Sequence, residues 1–226
     1  MPEMVRTPFE NRAEAGRQLG IALAALHLDN PVVLALPRGG VPVGLEIARA
    51  LDAPLDLLLV RKIGVPWQPE LAVAAVMDGG EPVVVVEPHV RAEAGVTFEY
   101  IDRRAKEELA EIERRRRTYL ADRPPVSIAG RTAIVVDDGI ATGTTVRAAL
   151  KGLRRRGPAR LVLAVPVAPP ETVDELRKEV DEVICLSQPS YFGAIGYFYR
   201  DFHQLSDDEV IALMRQAPRA ASPVAT

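Results

Sequence analysis

The stretch IVVDDGIATGTT, residues 134–145, is an apolar strand that runs into two carboxylates and then into a small, threonine-rich loop. Residues 132–136 are β-branched or small at every position, the pattern of a strand covered on both faces in a parallel α/β sheet. Downstream the period changes. Val146, Ala149, Leu150 and Leu153 fall at i, i+3, i+4 and i+7, and Arg154, Arg155, Arg156, Gly157 and Pro158 end the helix as its dipole and geometry favour. Residues 137–145 therefore read as a strand-to-helix crossing at the carboxyl end of a parallel strand, where open α/β sheets bind ligands.

The contents of the crossing suggest which ligand. Backbone N–H groups of Thr142, Gly143, Thr144 and Thr145 would point out of the first helical turn. With Ala141 these small residues admit an anion closely, and the hydroxyls add donors. That is a pocket for one phosphate monoester. Asp137 and Asp138 precede it, and an ionised carboxylate only accepts hydrogen bonds, so vicinal hydroxyls or the waters of a metal are their natural partners. A phosphate with a diol beside it describes a ribose 5-phosphate. No GKS or GKT follows, which excludes a Walker A loop.

With 226 residues the chain has room for one large α/β domain and a small cap, and it can bury a core without disulfide staples. Apolar runs are of strand length, far below the roughly 20 residues that span a bilayer, so no membrane association is expected. The first residues lack the apolar core and cleavage site of a secretory leader, and the expected location is the cytoplasm. The single cysteine, Cys185, reads as a buried small hydrophobe. A net charge of −3 argues against a broad nucleic-acid footprint, and the three histidines show no zinc-ligand spacing.

Asn11 with Glu14 three residues on predicts a capped first helix, with Leu19, Ala22, Leu23 and Leu26 as its stripe. Residues 32–36 form a strand, then Pro37, Arg38, Gly39 and Gly40 lead into a helix, and a further strand over 55–60 completes a parallel βαβ unit. The two strands feed unusual loops. Adjacent glycines permit close backbone approach to a ligand, with Arg38 placed to meet an anion, although a plain turn would look alike. Arg61 and Lys62 open a Gly/Pro stretch that reaches Glu70, and they read either as a functional loop or as a solvated strand end.

Asp78, Gly79 and Gly80 signal a hairpin that brings an antiparallel strand into the sheet. A long helix is expected over 97–120 with Phe98, Ile101, Ala105, Leu109 and Ile112 on one face. Its Arg114, Arg115, Arg116 and Arg117 suit a solvated helix end carrying i, i+4 pairs with Glu111 and Glu113. Strands over 161–165 and 183–186 complete a core of residues 1–186. Residues 187–216 differ in character: Tyr191, Phe192, Tyr197, Phe198, Tyr199 and Phe202 crowd together, with Arg200 and Asp201 beside them. They suit either a platform for a flat heterocycle or a lid core or homodimer contact. Residues 217–226 read as a disordered tail.

Hydrophobic strand, Asp137, Asp138, two spacers, then Ala141, Thr142, Gly143, Thr144 and Thr145 resemble the 5-phosphoribosyl-1-pyrophosphate (PRPP) motif of type I phosphoribosyltransferases. The resemblance covers roughly residues 31–186. It implies a three-layer α/β/α fold, with a mostly parallel sheet carrying one antiparallel strand and a small C-terminal hood. It also implies a Mg²⁺-dependent transfer of the 5-phosphoribosyl group from PRPP to a purine or pyrimidine in nucleotide salvage. Ala141 through Thr145 would hold the 5-phosphate. Pro37, Arg38, Gly39 and Gly40 would form the pyrophosphate loop, often with a non-proline cis peptide. Arg61, Lys62 and Glu70 would belong to a mobile loop that excludes water. Asp137, Asp138, Lys62 and Arg38 are the implied catalytic residues, with Mg²⁺ carried mostly by substrate oxygens and no direct protein ligand. Tyr191, Phe192, Tyr199, Arg200 and Asp201 are the candidates for the base. Ala141 stands where the hypoxanthine and guanine enzymes place an Asp, so proton management falls elsewhere, with Glu70 as the candidate. The alternative is a non-catalytic PRPP sensor that regulates genes by binding nucleic acid, which the acidic total disfavours.

Overall fold

A computed structural model of the chain describes residues 8–77, 82–121 and 123–218. Helix α1 (Arg12–Ala24) begins at Asn11, whose side chain accepts from the Glu14 N–H at 2.9 Å, as the Asn-to-Glu spacing predicts. Then come β1 (Pro31–Ala35), α2 (Gly40–Ala50), β2 (Leu55–Leu57), β3 (Val60–Val65), β4 (Gln68–Met77), β5 (Val83–Val86), α3 (Pro88–Glu93) and α4 (Phe98–Leu120). The second half holds β6 (Thr132–Val136), α5 (Thr144–Arg154), β7 (Arg160–Val167), α6 (Pro170–Leu176), β8 (Glu182–Ser187), a 3-10 turn (Ile195–Phe198) and α7 (Asp207–Gln216).

Five strands make a parallel sheet in the order β2-β1-β6-β7-β8. Strand pleating sends alternate residues to opposite faces, and two cores result. Val33, Ala35, Ile134 and Val136 pack with α1, α2, α4 and α7, while Val32, Leu34, Ala133 and Val135 pack with α5 and α6. From β1 the chain moves to one side of the sheet, and from β6 it moves to the other. The carboxyl ends of these adjacent strands therefore flank the topological switch point, where both singled-out loops emerge.

The antiparallel strands do not join this sheet. They form a separate three-stranded one, β3-β4-β5, with Met77 opposite Val83. The hairpin signal Asp78, Gly79 and Gly80 lies outside the described residues. The strand expected over 55–60 breaks after Leu57, and Val60 begins the second sheet. Leu57, Leu58 and Leu59 are all buried and serve both cores, so an unbroken apolar run carries no period to mark where the chain changes sheets.

Two further expectations need correction. Phe98 is 58% exposed rather than part of the buried stripe, because it sits at the first helical position beyond the edge of the core and takes the Arg91 guanidinium 4.3 Å above its ring. The expected tail starts packed: Ala217 is buried, and the Pro218 carbonyl accepts from Arg123 at 2.9 Å. Residues 219–226 lie outside the described residues. Among the described residues no helix is long and apolar enough to cross a membrane.

Asp56 joins three segments. Buried in β2, it accepts from the Leu57 N–H at 2.8 Å, the Val126 N–H at 2.9 Å and Arg116 of α4 at 3.1 Å. Asp56→Ala removes the shared acceptor of three donors and should cost about 3 kcal/mol. Urea unfolding checks this; an unchanged midpoint would contradict it.

Candidate active site

The loop after β6 forms an anion cup. Gly143 caps α5 with φ of +70°, a left-handed conformation that side chains resist, and it supplies no capping side chain of its own. The first N–H groups of α5 are thus left for a ligand at the positive end of the helix dipole. The loop is pinned on both sides. The Ile140 N–H donates to the Val167 carbonyl at 3.0 Å, and the Thr172 hydroxyl of α6 donates to the Ala141 carbonyl at 2.9 Å. A cup of about 160 Å³ results, walled by Ala141, Thr142, Gly143, Thr144 and Thr145, with Asp137 at its edge.

The two carboxylates part company. Asp138 turns under the loop after β1, where its Oδ2 accepts from Arg12 Nε at 2.7 Å. Arg12 also donates to the His203 carbonyl at 2.9 Å, and its guanidinium lies 3.8 Å from the centre of the Phe202 ring. The Tyr199 hydroxyl donates to the Asp138 carbonyl at 2.6 Å, and burial pushes that phenol far up. Asp138 is therefore a structural tie, away from the cup. Asp137 instead lines both the cup and a neighbouring cavity of about 200 Å³. Burial first, and the charge of Asp138 second, raise its carboxyl well above the ordinary value of 3.8.

That cavity runs beneath the loop after β1. The Pro37–Arg38 peptide is cis, as the resemblance implied for this loop. Gly39 presses on Asp138 so closely that a Cβ there would stand 2.0 Å from Oδ2, so no larger residue fits without moving the carboxylate. Gly40 opens α2. Arg38 projects away from the cup to within 3.9 Å of Asp207, into a polar pocket that it shares with Arg114, Arg115 and Tyr119.

The mobile-loop candidates lie on an antiparallel hairpin. Arg61 lines the cavity and is paired with Glu108 of α4. Lys62, next along β3, is exposed and does not line the cavity, and Glu70 is exposed on β4. None of the base candidates walls the cup or the cavity. Tyr191 is 85% exposed, and Phe192 stacks on Phe198 with centroids 5.3 Å apart. Tyr199 is buried, Arg200 reaches Glu10 at 3.2 Å, and Asp201 faces the His203 ring at 3.1 Å. The segment is tied to the chain's beginning, since the Phe9 N–H donates to the Phe198 carbonyl and the Arg200 N–H donates to the Phe9 carbonyl, both at 2.8 Å. Sequence reading missed Arg12 and Arg115, the one hidden behind a helix cap and the other inside a run that reads as solvated.

A family model described as "Phosphoribosyl transferase domain" matches residues 12–202, and the chain belongs to this family. It is 46% identical over 215 residues to "Putative phosphoribosyl transferase Rv0571c" of Mycobacterium tuberculosis strain H37Rv, with 93% of this chain and 47% of that protein covered. The same figures hold for "Putative phosphoribosyl transferase MT0597" of strain CDC 1551. The chain thus spans about half the length of these curated relatives. The crystal structure of TT1426 from Thermus thermophilus superposes with a TM-score of 0.82 at 43% identity, covering 92% of this chain and 97% of that one.

Two outcomes are expected of this geometry. Arg12→Ala leaves the buried Asp138 carboxylate without its guanidinium and should cost about 3–5 kcal/mol, read from urea unfolding; a loss under about 1 kcal/mol, the range of a surface pair, would contradict the tie. Asp137, with its folded-state pKa raised, binds its proton more tightly in the native state than in the unfolded one. Its contribution to stability is full below the unfolded value and is lost as pH rises through the folded value. Asp137→Asn should therefore gain on the wild type as pH rises from about 4 to about 8, and a pH-independent difference between the two would refute the assignment.

Proposed function

We propose that this chain transfers the 5-phosphoribosyl group of PRPP to a nitrogenous base, a purine or a pyrimidine, with release of pyrophosphate. The observation that carries the reading is linear. An anion cup, a carboxylate and an arginine-lined cavity follow one another across the switch point, in the order of the 5-phosphate, ribose hydroxyls and pyrophosphate of PRPP. Family membership supports the same reaction class.

In this reading Ala141, Thr142, Gly143, Thr144 and Thr145 anchor the 5-phosphate, and its binding energy orients the reacting carbon some distance away. Asp137 takes a ribose hydroxyl and favours positive charge on the ring. Asp138 positions the loop after β1 through Gly39 and Arg12. The base nitrogen forms its bond to C1 with its lone pair as the C1–O bond breaks, and the bonding electrons leave with pyrophosphate. The proton lost by the base passes to solvent. Arg61 and the loop Pro37 to Gly40 face the departing group, a role that falls to Arg61 rather than to the exposed Lys62.

No group of three or more metal-ligating side chains exists among the described residues. The donors beside the cavity, the Asp137 carboxylate and the Thr145 hydroxyl, suit a Mg²⁺ ion that takes its remaining ligands from substrate oxygens and water. When bound, Mg²⁺ would offset charge on the leaving group.

Pyrophosphate release, measured with PRPP, Mg²⁺ and a panel of bases against a no-base control, tests the proposal; one base should stimulate release. Asp137→Asn should weaken PRPP binding about tenfold or more, while folding at least as stably as the wild type at neutral pH. Tight PRPP binding without turnover on any base would favour a sensor, and no PRPP binding would overturn the reading.

A further inference from the structure

We infer that helix α4 forms part of the leaving-group site, with Arg115 taking the pyrophosphate that departs from PRPP; this rests on the reading that PRPP occupies the cup. Helix α4 turns one stripe inward. Ile101, Ala105, Glu108, Ile112, Arg115 and Tyr119 succeed one another by four, three, four, three and four residues, one face of a helix. Four of them are buried apolar or aromatic side chains. The two charged members, Glu108 and Arg115, stand where the helix passes the cavity. Glu108 holds Arg61 at its wall, and Ile112 and Arg115 line the wall themselves.

The partners of the arginine run single out one residue. Arg114 makes two bonds to Glu111, at 2.7 and 2.8 Å, Arg116 turns to Asp56, and Arg117 pairs with Glu113 in solvent. Arg115 uses only its Nε, donating to Glu111 Oε1 at 2.9 Å. Among the described residues its two terminal nitrogens donate no further hydrogen bond, and the side chain is 44% exposed, so the fork is open to a ligand.

Arg115 also lies on the wall of a second space of about 200 Å³, which brings in Arg38, Arg114 and Asp207. Four guanidinium groups from three segments thus converge: Arg38 from the loop after β1, Arg61 from β3, and Arg114 and Arg115 from α4. Their counter-charges are shared. Glu108 serves Arg61 and Arg104, and Glu111 serves Arg114 and Arg115. A carboxylate divided between two guanidiniums orients both and neutralises one. Glu111 stays ionised throughout, since Arg114 and then Arg115 hold its carboxyl at about 2. Asp207 faces Arg38 at 3.9 Å. What remains is an excess of guanidinium over carboxylate, with Arg61 and Arg115 on the cavity wall that Asp137 also lines. It is suited to a multiply charged ligand with many acceptor oxygens, and pyrophosphate is one. Charge grows on that group as the C1–O bond breaks, so these contacts strengthen in the transition state.

Calorimetry on the full chain with three probes, Mg²⁺-pyrophosphate, PRPP and ribose 5-phosphate, separates the possibilities. Arg115→Ala should lose about ten- to hundredfold in affinity for pyrophosphate and PRPP, keep its affinity for ribose 5-phosphate, and unfold at the wild-type urea midpoint. Arg115→Lys should recover part of the loss, and Arg117→Ala should match the wild type. Unchanged pyrophosphate and PRPP affinities in Arg115→Ala, or an equal loss for ribose 5-phosphate, would overturn the inference and leave the proposed function standing. Pyrophosphate binding that needs Arg115, in a wild type that binds neither PRPP nor ribose 5-phosphate, would uphold the arginine site and sink the transferase reading. A wild type that binds none of the probes would overturn both.

Discussion

The ion pair between Arg12 and Asp138 is the constraint on which the rest of the site depends. Four parts of the chain meet at it: the start of α1, the end of β6, the loop after β1 through Gly39, and the aromatic segment through Phe202 and the His203 carbonyl. A charge taken out of water is costly unless it is paired and fully hydrogen-bonded, so removal of one partner harms far more than the pair itself stabilises. That asymmetry fixes geometry. The loops can hold their relative positions only while the guanidinium stays on the carboxylate, and the aromatic segment is seated by the same contact.

The two adjacent aspartates that follow β6 do different work, because the chain bends there and their side chains meet different surroundings. Asp138 is committed to the frame. Asp137 is left at the boundary of cup and cavity with no ion pair among the described residues, and burial then raises its proton affinity. The sequence pairs them as equivalent acids, and the contacts that Arg12, Gly39 and Tyr199 make with Asp138 distinguish them. Stability and binding therefore pull on Asp137 in opposite directions, a conflict common where a site is built for a ligand rather than for the empty fold.

Legibility followed the range of the interactions involved. The crossing from β6 to α5 was readable because strand pattern, small loop residues and helical stripe lie within a few turns of chain, and each is a local effect. Asn11 and Glu14 were readable for the same reason. The second sheet was not, because Leu57, Leu58 and Leu59 are apolar toward both cores and say nothing about which strand they will meet. The aromatic segment suits two readings by composition, a ligand platform or a lid core, and only the fold shows Tyr199 packed on Phe9 and Phe202 and bonded to the Asp138 carbonyl. In α4 the signal was present but outweighed. The arginines do make the expected pairs with glutamates, and it takes the fold to show that the inward stripe, continued past Ile112, includes Arg115.

Gly39 lies against Asp138 with no side chain between them, so main chain rests directly on carboxylate at the seam between the two loops. A seam without a side chain has almost nothing to compress. Cup and arginine wall are then held at a set separation, as the two jaws of a calliper are once its screw is tightened. On the proposed reading such a site tells its ligands apart by span before it tells them apart by chemistry. A sugar phosphate too short to reach from one jaw to the other would fill the cup and leave the arginines in water.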